Sequence, residues 1–313
     1  MSENYTKSEL MMRAAWLYYV NGKNQNEIAS VLGVSRPVVQ RLIAAAKDEG
    51  AVSISIQHPI ATCLDYAELL KEKYQLHTCN VVPVAQGQSV LECIAYGGAQ
   101  TISQHIEQNS IHTIGIGSGN TLKRCVNHLE PRDFNLKRCV SLISAIGLDG
   151  QCNYYDDVSL MLASRIKANY YQLAAPRYAL DKRDMDIWCH NRLYLHHADV
   201  ASQCDITFIG LGEIGKDSPI TIDGFISEAQ SKELEHLGCI GEILGRFIDI
   251  EGRPIECSFN ELVTSFDIRR NSSQRIAIAG GESKRPPILA ALNGKWINGL
   301  VTDELTAKWL LTK

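Results

Sequence analysis

The chain has 313 residues, a hydrophobic content of 45%, a charged content of 21% and a formal net charge of −4. This length allows two domains with sizeable cores, and the net negative charge argues against a protein that coats nucleic acid without regard to sequence. Ten cysteines lie scattered without a Cys-x-x-Cys pair, which indicates reduced core thiols rather than a zinc site or a disulfide scaffold. The polar N-terminus and the absence of an apolar run near ~18 residues predict a cytoplasmic protein with no membrane partner.

Residues 10–47 predict three short helices. The first covers residues 10–20, and residues 25–47 form two more that are joined by a tight turn at Gly33, where a Cβ would oppose the turn conformation. Ser35 is a natural N-cap for the third helix, and Pro37 is tolerated in its first turn. The apolar residues recur at helical spacing on one side of each of the last two helices, at Ile28, Ala29, Leu32, Val39, Leu42 and Ile43.

The opposite side of the third helix is polar and cationic. Arg and Gln are the residue types that recognise guanine and adenine edges in the major groove of DNA. The stretch from Ser35 to Lys47 holds three cations and no acid, so this local cluster, rather than a basic domain, would meet the phosphates. A helical packing hairpin is the structural alternative. The predicted contacts with double-stranded DNA are Gln25, Ser35, Arg36, Pro37, Gln40, Arg41 and Lys47.

The pattern of apolar and polar residues changes near residue 58, which predicts two domains, residues 1–57 and 58–313. Residues 52–56 alternate like a half-buried strand, which completes a winged-helix-like helix-turn-helix domain, and His58-Pro59 ends that strand. Beyond residue 61, apolar strands alternate with amphipathic helices, which predicts an α/β domain with a mostly parallel sheet covered on both faces. The predicted strands are 80–84, 113–117, 140–143, 205–209, 275–279 and 298–301, and the predicted helices are 61–74, 90–108, 120–129, 157–170, 227–237, 285–293 and 303–312.

Three strand-end loops of the larger domain predict an anion site. The glycine-rich segment 114–122 joins a strand to a helix, so its backbone can approach a phosphate closely and offer N–H groups at the helix start. A second loop, 276–284, ends in Lys284, which either pairs with an anion at the sheet edge or is a solvated surface lysine. In the third loop, Asp303 can cap the last helix and also bind a ligand. The first pattern is neither a Walker loop nor a dinucleotide fingerprint, so no cofactor is predicted.

Catalytic and metal-binding patterns are missing from the sequence. It contains no Gly-x-Ser-x-Gly elbow and no His-Glu-x-x-His motif. The adjacent pair His196-His197 is predicted to lie in a loop, and Asp156-Asp157 is predicted to cap a helix. We therefore expect neither a catalytic group nor a bound metal.

Taken together, these motifs resemble the SorC/DeoR-type sugar-binding transcriptional regulators of bacteria over nearly the whole chain. The resemblance implies a helix-turn-helix domain joined to an effector domain related to the phosphosugar isomerase and CoA-transferase folds. It further implies a phosphorylated sugar or polyol as effector and assembly into dimers or tetramers. The segments that carry it are 17–19, 25–29, 32–37, 115–121, 175–176, 208–212, 240–249, 279–284 and 300–307.

The resemblance also implies effector-binding residues. A phosphate would be held by the glycine-rich loop and Lys284, with Asp303 nearby, and Glu242 would face the sugar hydroxyls. Many family members carry Asp where Glu242 stands, and some carry an imine-forming Lys in the stretch that corresponds to 142–147. This chain has no Lys there, so covalent capture of an aldehyde is not expected. The loop residues are Gly117, Ser118, Gly119, Asn120 and Thr121, and further hydroxyl contacts are expected from Ser144, Gly147, Asp149 and Asn153.

The sequence thus predicts a transcriptional regulator of a carbohydrate or polyol catabolic operon. Two subunits would place their third helices in successive major grooves of the operator, and the effector would change how well they fit. The alternative is a sugar-phosphate isomerase-like enzyme with an accessory DNA-binding arm. Such an enzyme needs a general base, for which Asp303 or Glu242 are the candidates.

Overall fold

The structure, a computed structural model, describes residues 5–52, 61–135, 138–152, 158–271 and 273–313. The chain divides into two compact units, residues 1–58 and 59–313. The predicted boundary between residues 57 and 58 and the predicted strand beyond residue 52 lie outside the described residues. Asn153, Asp156 and Asp157 lie outside them as well.

The first unit contains three helices, α1 (Lys7–Tyr19), α2 (Gln25–Leu32) and α3 (Arg36–Asp48). The chain turns by 101° between α2 and α3. Gly33 makes this turn in the left-handed region, at φ 66° and ψ 29°, and its N–H donates to the Ala29 carbonyl. The predicted helices and the predicted glycine turn are therefore confirmed.

Helices α2 and α3 differ in how their N-termini are capped. The Asn24 side chain accepts hydrogen bonds from the backbone N–H groups of Asn26 and Glu27, at 3.0 and 3.1 Å, and the Glu27 carboxylate accepts from the Asn24 N–H. Ser35 has the predicted N-cap backbone conformation at the start of α3, but its hydroxyl makes no capping hydrogen bond. The buried apolar residues of the three helices form one core, made of Met11, Ala14, Ala15, Leu17, Ile28, Val39, Leu42, Ile43 and Ala46.

The second unit is an α/β fold built around a parallel sheet of seven strands. Its strands and a separate antiparallel pair are β1 (Thr78–Val82), β2 (Thr113–Ile116), β3 (Arg138–Ser141), β4 (Asn169–Tyr171), β5 (Ile206–Ile209), β6 (Gly241–Ile243), β7 (Arg246–Ile248), β8 (Gln274–Ile278) and β9 (Gly299–Asp303). Its helices are α4 (Ala61–Tyr74), α5 (Val90–Ile106), α6 (Asn120–His128), α7 (Val158–Ile166), α8 (Lys182–His190), α9 (Arg192–Ser202), α10 (Pro219–Ile222), α11 (Glu228–His236), α12 (Ser258–Leu262), α13 (Arg285–Asn293) and α14 (Glu304–Leu311).

The sheet is covered on both faces, as the near-continuous apolar strands predicted. On β8, Ile276 and Ile278 pack with the core formed by α5, α6 and α7, whereas Ala277 packs with the core formed by α4, α9, α13 and α14. The strand order is β1-β9-β8-β5-β2-β3-β4. The relation to the phosphosugar isomerase and CoA-transferase folds stays a prediction.

Two element predictions are wrong. The helix predicted over residues 157–170 ends at Ile166, because Lys167 adopts a left-handed φ of 55° and the next residues pair with β3 as β4. His196 and His197 lie on α9 and not in a loop. Asn191 caps that helix by accepting from two backbone N–H groups, and His197 belongs to its buried face.

Among the described helices, no single one is long and apolar enough to cross a membrane. Helices α2 and α3 reach the length and apolar composition of a membrane span only when they are taken together, and the chain bends by 101° between them.

Candidate functional site

A cleft of about 340 Å³ opens at the centre of the sheet's carboxyl edge. Strands β2 and β5 are neighbours at the centre of the sheet; the other neighbour of β2 is β3, and the other neighbour of β5 is β8. The loops that leave β2 and β5 therefore diverge, which is the topological switch point where open α/β sheets bind ligands. Both loops line the cleft.

The loop after β2 presents the start of α6 to the cleft. Its residues Ser118, Gly119, Asn120 and Thr121 all line it. Gly119 is the N-cap, with φ 114° and ψ 163°, and no side chain caps α6. Because the first N–H groups of a helix have no partner within the helix and carry partial positive charge, this end favours an anion. The sequence-predicted glycine loop thus lies in the cleft.

Lys284 lies on the opposite wall and forms an ion pair with Glu213. Its side chain is 20% exposed and that of Glu213 is 29% exposed, so Lys284 is not a freely solvated surface lysine. The Ser283 hydroxyl lies 3.5 Å from the same carboxylate oxygen of Glu213. Sequence reasoning missed Glu213, although it directly follows the segment 208–212 that carries part of the family resemblance.

Glu242, on β6, also lines the cleft. One of its carboxylate oxygens accepts a hydrogen bond from the Gly245 N–H at 2.6 Å. A Cβ at Gly212 would lie 2.3 Å from the other oxygen, so only glycine leaves room for this carboxylate. The β5 loop and the β6–β7 hairpin thereby hold Glu242 in place at the cleft.

Arg177 is a second cation of the cleft that the sequence analysis did not single out. Its Nε donates to the Ser144 carbonyl at 2.9 Å, and its guanidinium carbon lies 3.5 Å from the centre of the Phe225 ring. The preceding pair Ala175-Pro176 was the available signal. With Arg177 and Lys284 against Glu213, Asp223 and Glu242, the described lining carries two cations and three carboxylates.

Several predicted effector residues lie next to the cleft without lining it. Asp303 is 1% exposed, and its two oxygens accept from the N–H groups of Gly281 and Thr306 at 2.7 and 2.9 Å. It therefore caps α14 and ties down the loop that carries Lys284. Gly117 is buried beneath Leu244.

The loop after β3 has its own internal bonding. Ser144 is buried, and its hydroxyl donates to the Ala175 carbonyl and accepts from the Ile146 N–H. Gly147 and Asp149 belong to a tight turn in which Asp149 accepts from the Gln151 N–H at 3.0 Å. None of these three residues lines the described cleft.

The residues predicted to contact DNA all lie in the first unit, and most of them are exposed. Gln25 is half-buried at the start of α2, and the other six residues are exposed on α3 or at its start. The Arg36 Nε lies 3.4 Å from the Gln25 side-chain oxygen, and the Arg41 Nε lies 3.4 Å from the Pro37 carbonyl. In these two contacts the guanidinium groups of Arg36 and Arg41 face an amide oxygen and a backbone carbonyl oxygen, both of them uncharged acceptors.

Known proteins similar to this chain were found at the level of family, sequence and structure. Residues 58–312 match the family model described as "Putative sugar-binding domain". The erythritol catabolism regulatory protein EryD of Brucella abortus is 30% identical, and the alignment covers 96% of each chain. The chain belongs to the SorC/DeoR-type family of sugar-binding transcriptional regulators.

Further comparisons agree with this membership. The deoxyribonucleoside regulator of Bacillus subtilis is 25% identical, with 97% of this chain and 98% of that protein covered. The full-length sorbitol operon regulator SorC of Klebsiella pneumoniae superposes with a TM-score of 0.80 at 26% identity, covering 98% of this chain and 100% of that one. This SorC/DeoR-type protein is a DNA-binding transcriptional regulator, as the sequence predicted.

Proposed function

We propose that this regulator controls a carbohydrate or polyol catabolic operon and that a phosphorylated sugar or polyol sets its affinity for operator DNA. One observation carries the effector assignment. The cleft at the strand switch point brings the uncapped start of α6 and the ammonium group of Lys284 to the same space. Both features stabilise negative charge.

The rest of the cleft suits the hydroxylated part of such an effector. Glu242 offers carboxylate oxygens as acceptors, and Asn120 and Thr121 offer short polar side chains near the anion position. A volume of about 340 Å³ matches the lower end of small-molecule sites. We therefore propose a small phosphorylated carbohydrate or polyol, with Glu242 as its hydroxyl acceptor.

We propose that α2 and α3 form a DNA-binding helix-turn-helix, with α3 in the major groove. The 101° turn between the helices and the exposed polar face of α3 support this role. Two copies of the chain would bind the two halves of an operator, and the effector would favour one arrangement of the copies over the other. We accordingly propose that the protein acts in the cytoplasm, where the operator DNA lies.

We also propose that the protein is not an enzyme. Asp303 is a buried helix cap with both oxygens accepting backbone N–H groups, so it is not positioned as a general base. One oxygen of Glu242 accepts from the Gly245 N–H, and its carboxylate packs against Gly212, so this side chain is fixed at the wall of the cleft. The observations favour a binding cleft over an isomerase site.

Thermal unfolding with a panel of free and phosphorylated sugars and polyols tests the effector assignment. We expect at least one phosphorylated compound to raise the melting temperature of the wild type, because a ligand at 100 times its Kd stabilises the folded state by about 2.7 kcal/mol. Lys284→Gln should lose most of this shift. Lys308→Gln removes the same charge from the exposed side of α14 and should keep it.

The same compound should change the binding of the wild type to its operator, measured by fluorescence anisotropy on DNA selected from a random pool. The proposal is wrong in its phosphate component when no phosphorylated compound shifts the melting temperature. It is wrong in its regulatory component when a compound binds and operator affinity stays unchanged.

A further inference from the structure

We propose that Glu213 is an internal competitor of the effector: its carboxylate occupies Lys284 in the effector-free protein and must leave when the effector's phosphate binds. This inference rests on the proposed phosphate site. It assigns to Glu213 the role of setting how tightly an anionic effector binds.

The geometry places a negative group where the effector's negative group is expected. Glu213 and Lys284 form an ion pair, and both side chains line the cleft that the start of α6 enters. The Ser283 hydroxyl faces the same oxygen of Glu213, at 3.5 Å. Lys284 and Ser283, on the loop after β8, thus give Glu213 the kind of contacts that a phosphate oxygen would take.

Electrostatics makes the two anions exclude each other at this lysine. The side chains of Glu213 and Lys284 are 29% and 20% exposed, so solvent screens their charges less than at an open surface. A phosphate that approaches Lys284 meets the repulsion of Glu213 as long as the carboxylate stays. The described lining already carries more carboxylates than cations, which increases this repulsion.

The carboxylate that leaves belongs to a segment with defined anchors. On one side, a Cβ at Gly210 would lie 3.3 Å from the Ser118 carbonyl, so the β5 loop packs closely on the loop after β2. On the other side, Gly215 donates to the Ser231 hydroxyl at 3.2 Å and accepts from the Ser218 hydroxyl at 2.7 Å. Gly212 also exchanges two backbone hydrogen bonds with Glu242, at 2.9 and 3.0 Å, so a backbone movement at Glu213 is confined to the residues between Gly212 and Gly215.

This segment leads directly to another wall of the cleft. After Gly215 the chain enters α10, and Pro219, Ile220 and Ile222 of that helix line the cleft together with Asp223. Release of Glu213 from Lys284 thus removes a tie between the loop after β8 and the segment that leads to α10. The position of Glu213 reports whether Lys284 holds an effector.

Isothermal titration calorimetry of the full-length protein with inorganic phosphate tests this competition. We expect Glu213→Gln to bind phosphate about tenfold more tightly than the wild type, a change of about 1.4 kcal/mol in binding free energy, because phosphate then neither breaks the ion pair with Lys284 nor meets the repulsion of the Glu213 carboxylate. Glu282→Gln is the matched control. It removes the same charge two residues from Lys284, but its side chain is 91% exposed and pairs with Arg285 at 4.0 Å. Its affinity should stay within about twofold of the wild type.

The outcomes separate this inference from the proposed function. Equal phosphate affinity in the wild type and both variants overturns the competition and leaves the phosphate site intact. Weaker binding by Glu213→Gln also overturns it, because Glu213 would then help to hold the ligand. If neither the wild type nor either folded variant binds phosphate, the inference and the proposed phosphate site both fail.

Discussion

Two charged residues of neighbouring loops show how burial decides the role of a side chain. Asp303 ends β9 and Lys284 follows β8 at the same sheet edge, and the sequence analysis predicted Lys284 at a phosphate site with Asp303 nearby. Asp303 is almost fully buried and spends its oxygens on two backbone N–H groups, whereas Lys284 lines the cleft. The Asp303 carboxylate holds the two loops in place, whereas the Lys284 ammonium group stays in the cleft, paired with Glu213.

His197 predicts a pH dependence of stability at the residue scale. Burial lowers the pKa of His197 to about 4, against an opposing hydrogen bond to the Ser141 backbone, and the charge of His196 lowers it slightly further. The folded state therefore holds this imidazole neutral, while the unfolded chain takes up a proton below pH 6.5. The resulting stability is present above pH 6.5 and is lost as the pH falls towards 4.

Because of His197, we expect the free energy of unfolding to fall by about 2 kcal/mol when the pH is lowered from 7 to 5. Urea unfolding of the full chain at the two pH values measures the loss. His197→Gln should reduce it by that amount, and His196→Gln, on the exposed side of the same helix, should keep it. An equal loss in His197→Gln and in the wild type would contradict the assignment.

At the scale of elements, the helix pair α2 and α3 depends on a few local rules that agree with each other. Asn24 caps α2 with a reciprocal bond to Glu27, and Gly33 makes the turn in a conformation that side chains with a Cβ rarely adopt. Ser35 starts α3 without a capping bond. A contact between this hydroxyl and a phosphate of DNA, which we propose, would therefore break no capping bond.

Arg36 provides the test of α3 as the recognition helix. It is exposed in the first turn of α3, beside Gln25. Arg36→Ala should weaken binding to the selected operator by about 1–3 kcal/mol and relax the preference at one base pair, because a bidentate contact with a guanine would be lost.

Fluorescence anisotropy with the operator and with single-base variants of it measures both effects. Arg13→Ala is the control, since Arg13 lies on α1 and stacks on the Tyr5 ring at 4.1 Å. Unchanged operator affinity in Arg36→Ala would remove this residue from the interface.

At the scale of the whole molecule, DNA binding must overcome an unfavourable net charge. The chain carries a formal charge of −4, and the exposed cations of α3 form a local group with no acid between Ser35 and Lys47. Long-range attraction to DNA is therefore weak, and affinity depends on a small number of phosphate contacts. The operator affinity should accordingly depend on salt with a moderate slope.

With Arg36 assigned to a base, Arg41 and Lys47 in each of two bound copies allow at most four phosphate contacts from this group, which predicts a slope of log K against log salt no steeper than about −4. Arg41→Gln should make the slope shallower by about 2, one contact per copy. Anisotropy titrations over a series of KCl concentrations give the slope. A slope that Arg41→Gln leaves unchanged would exclude Arg41 from the phosphate contacts.

The sequence by itself determined the local elements and the family. Regular apolar spacing, a turn glycine, a proline in the first turn of α3 and the glycine-rich loop at residues 114–122 act over a few neighbouring residues, so they can be recognised without knowledge of the fold. They predicted α1 to α3, the parallel α/β sheet and an anion site at Ser118 to Thr121 and Lys284, and the family resemblance added Glu242; all of these residues line the cleft.

Only the tertiary structure decided which distant residues share the cleft. Arg177 and Glu213 reach it because the strand order diverges between β2 and β5, and no local pattern encodes that order. The same long-range packing buried Asp303 and Ser144 and placed His197 on the inner face of α9. Local chemistry fixes what a segment can form, whereas packing between segments fixes which side chains are left to meet a ligand.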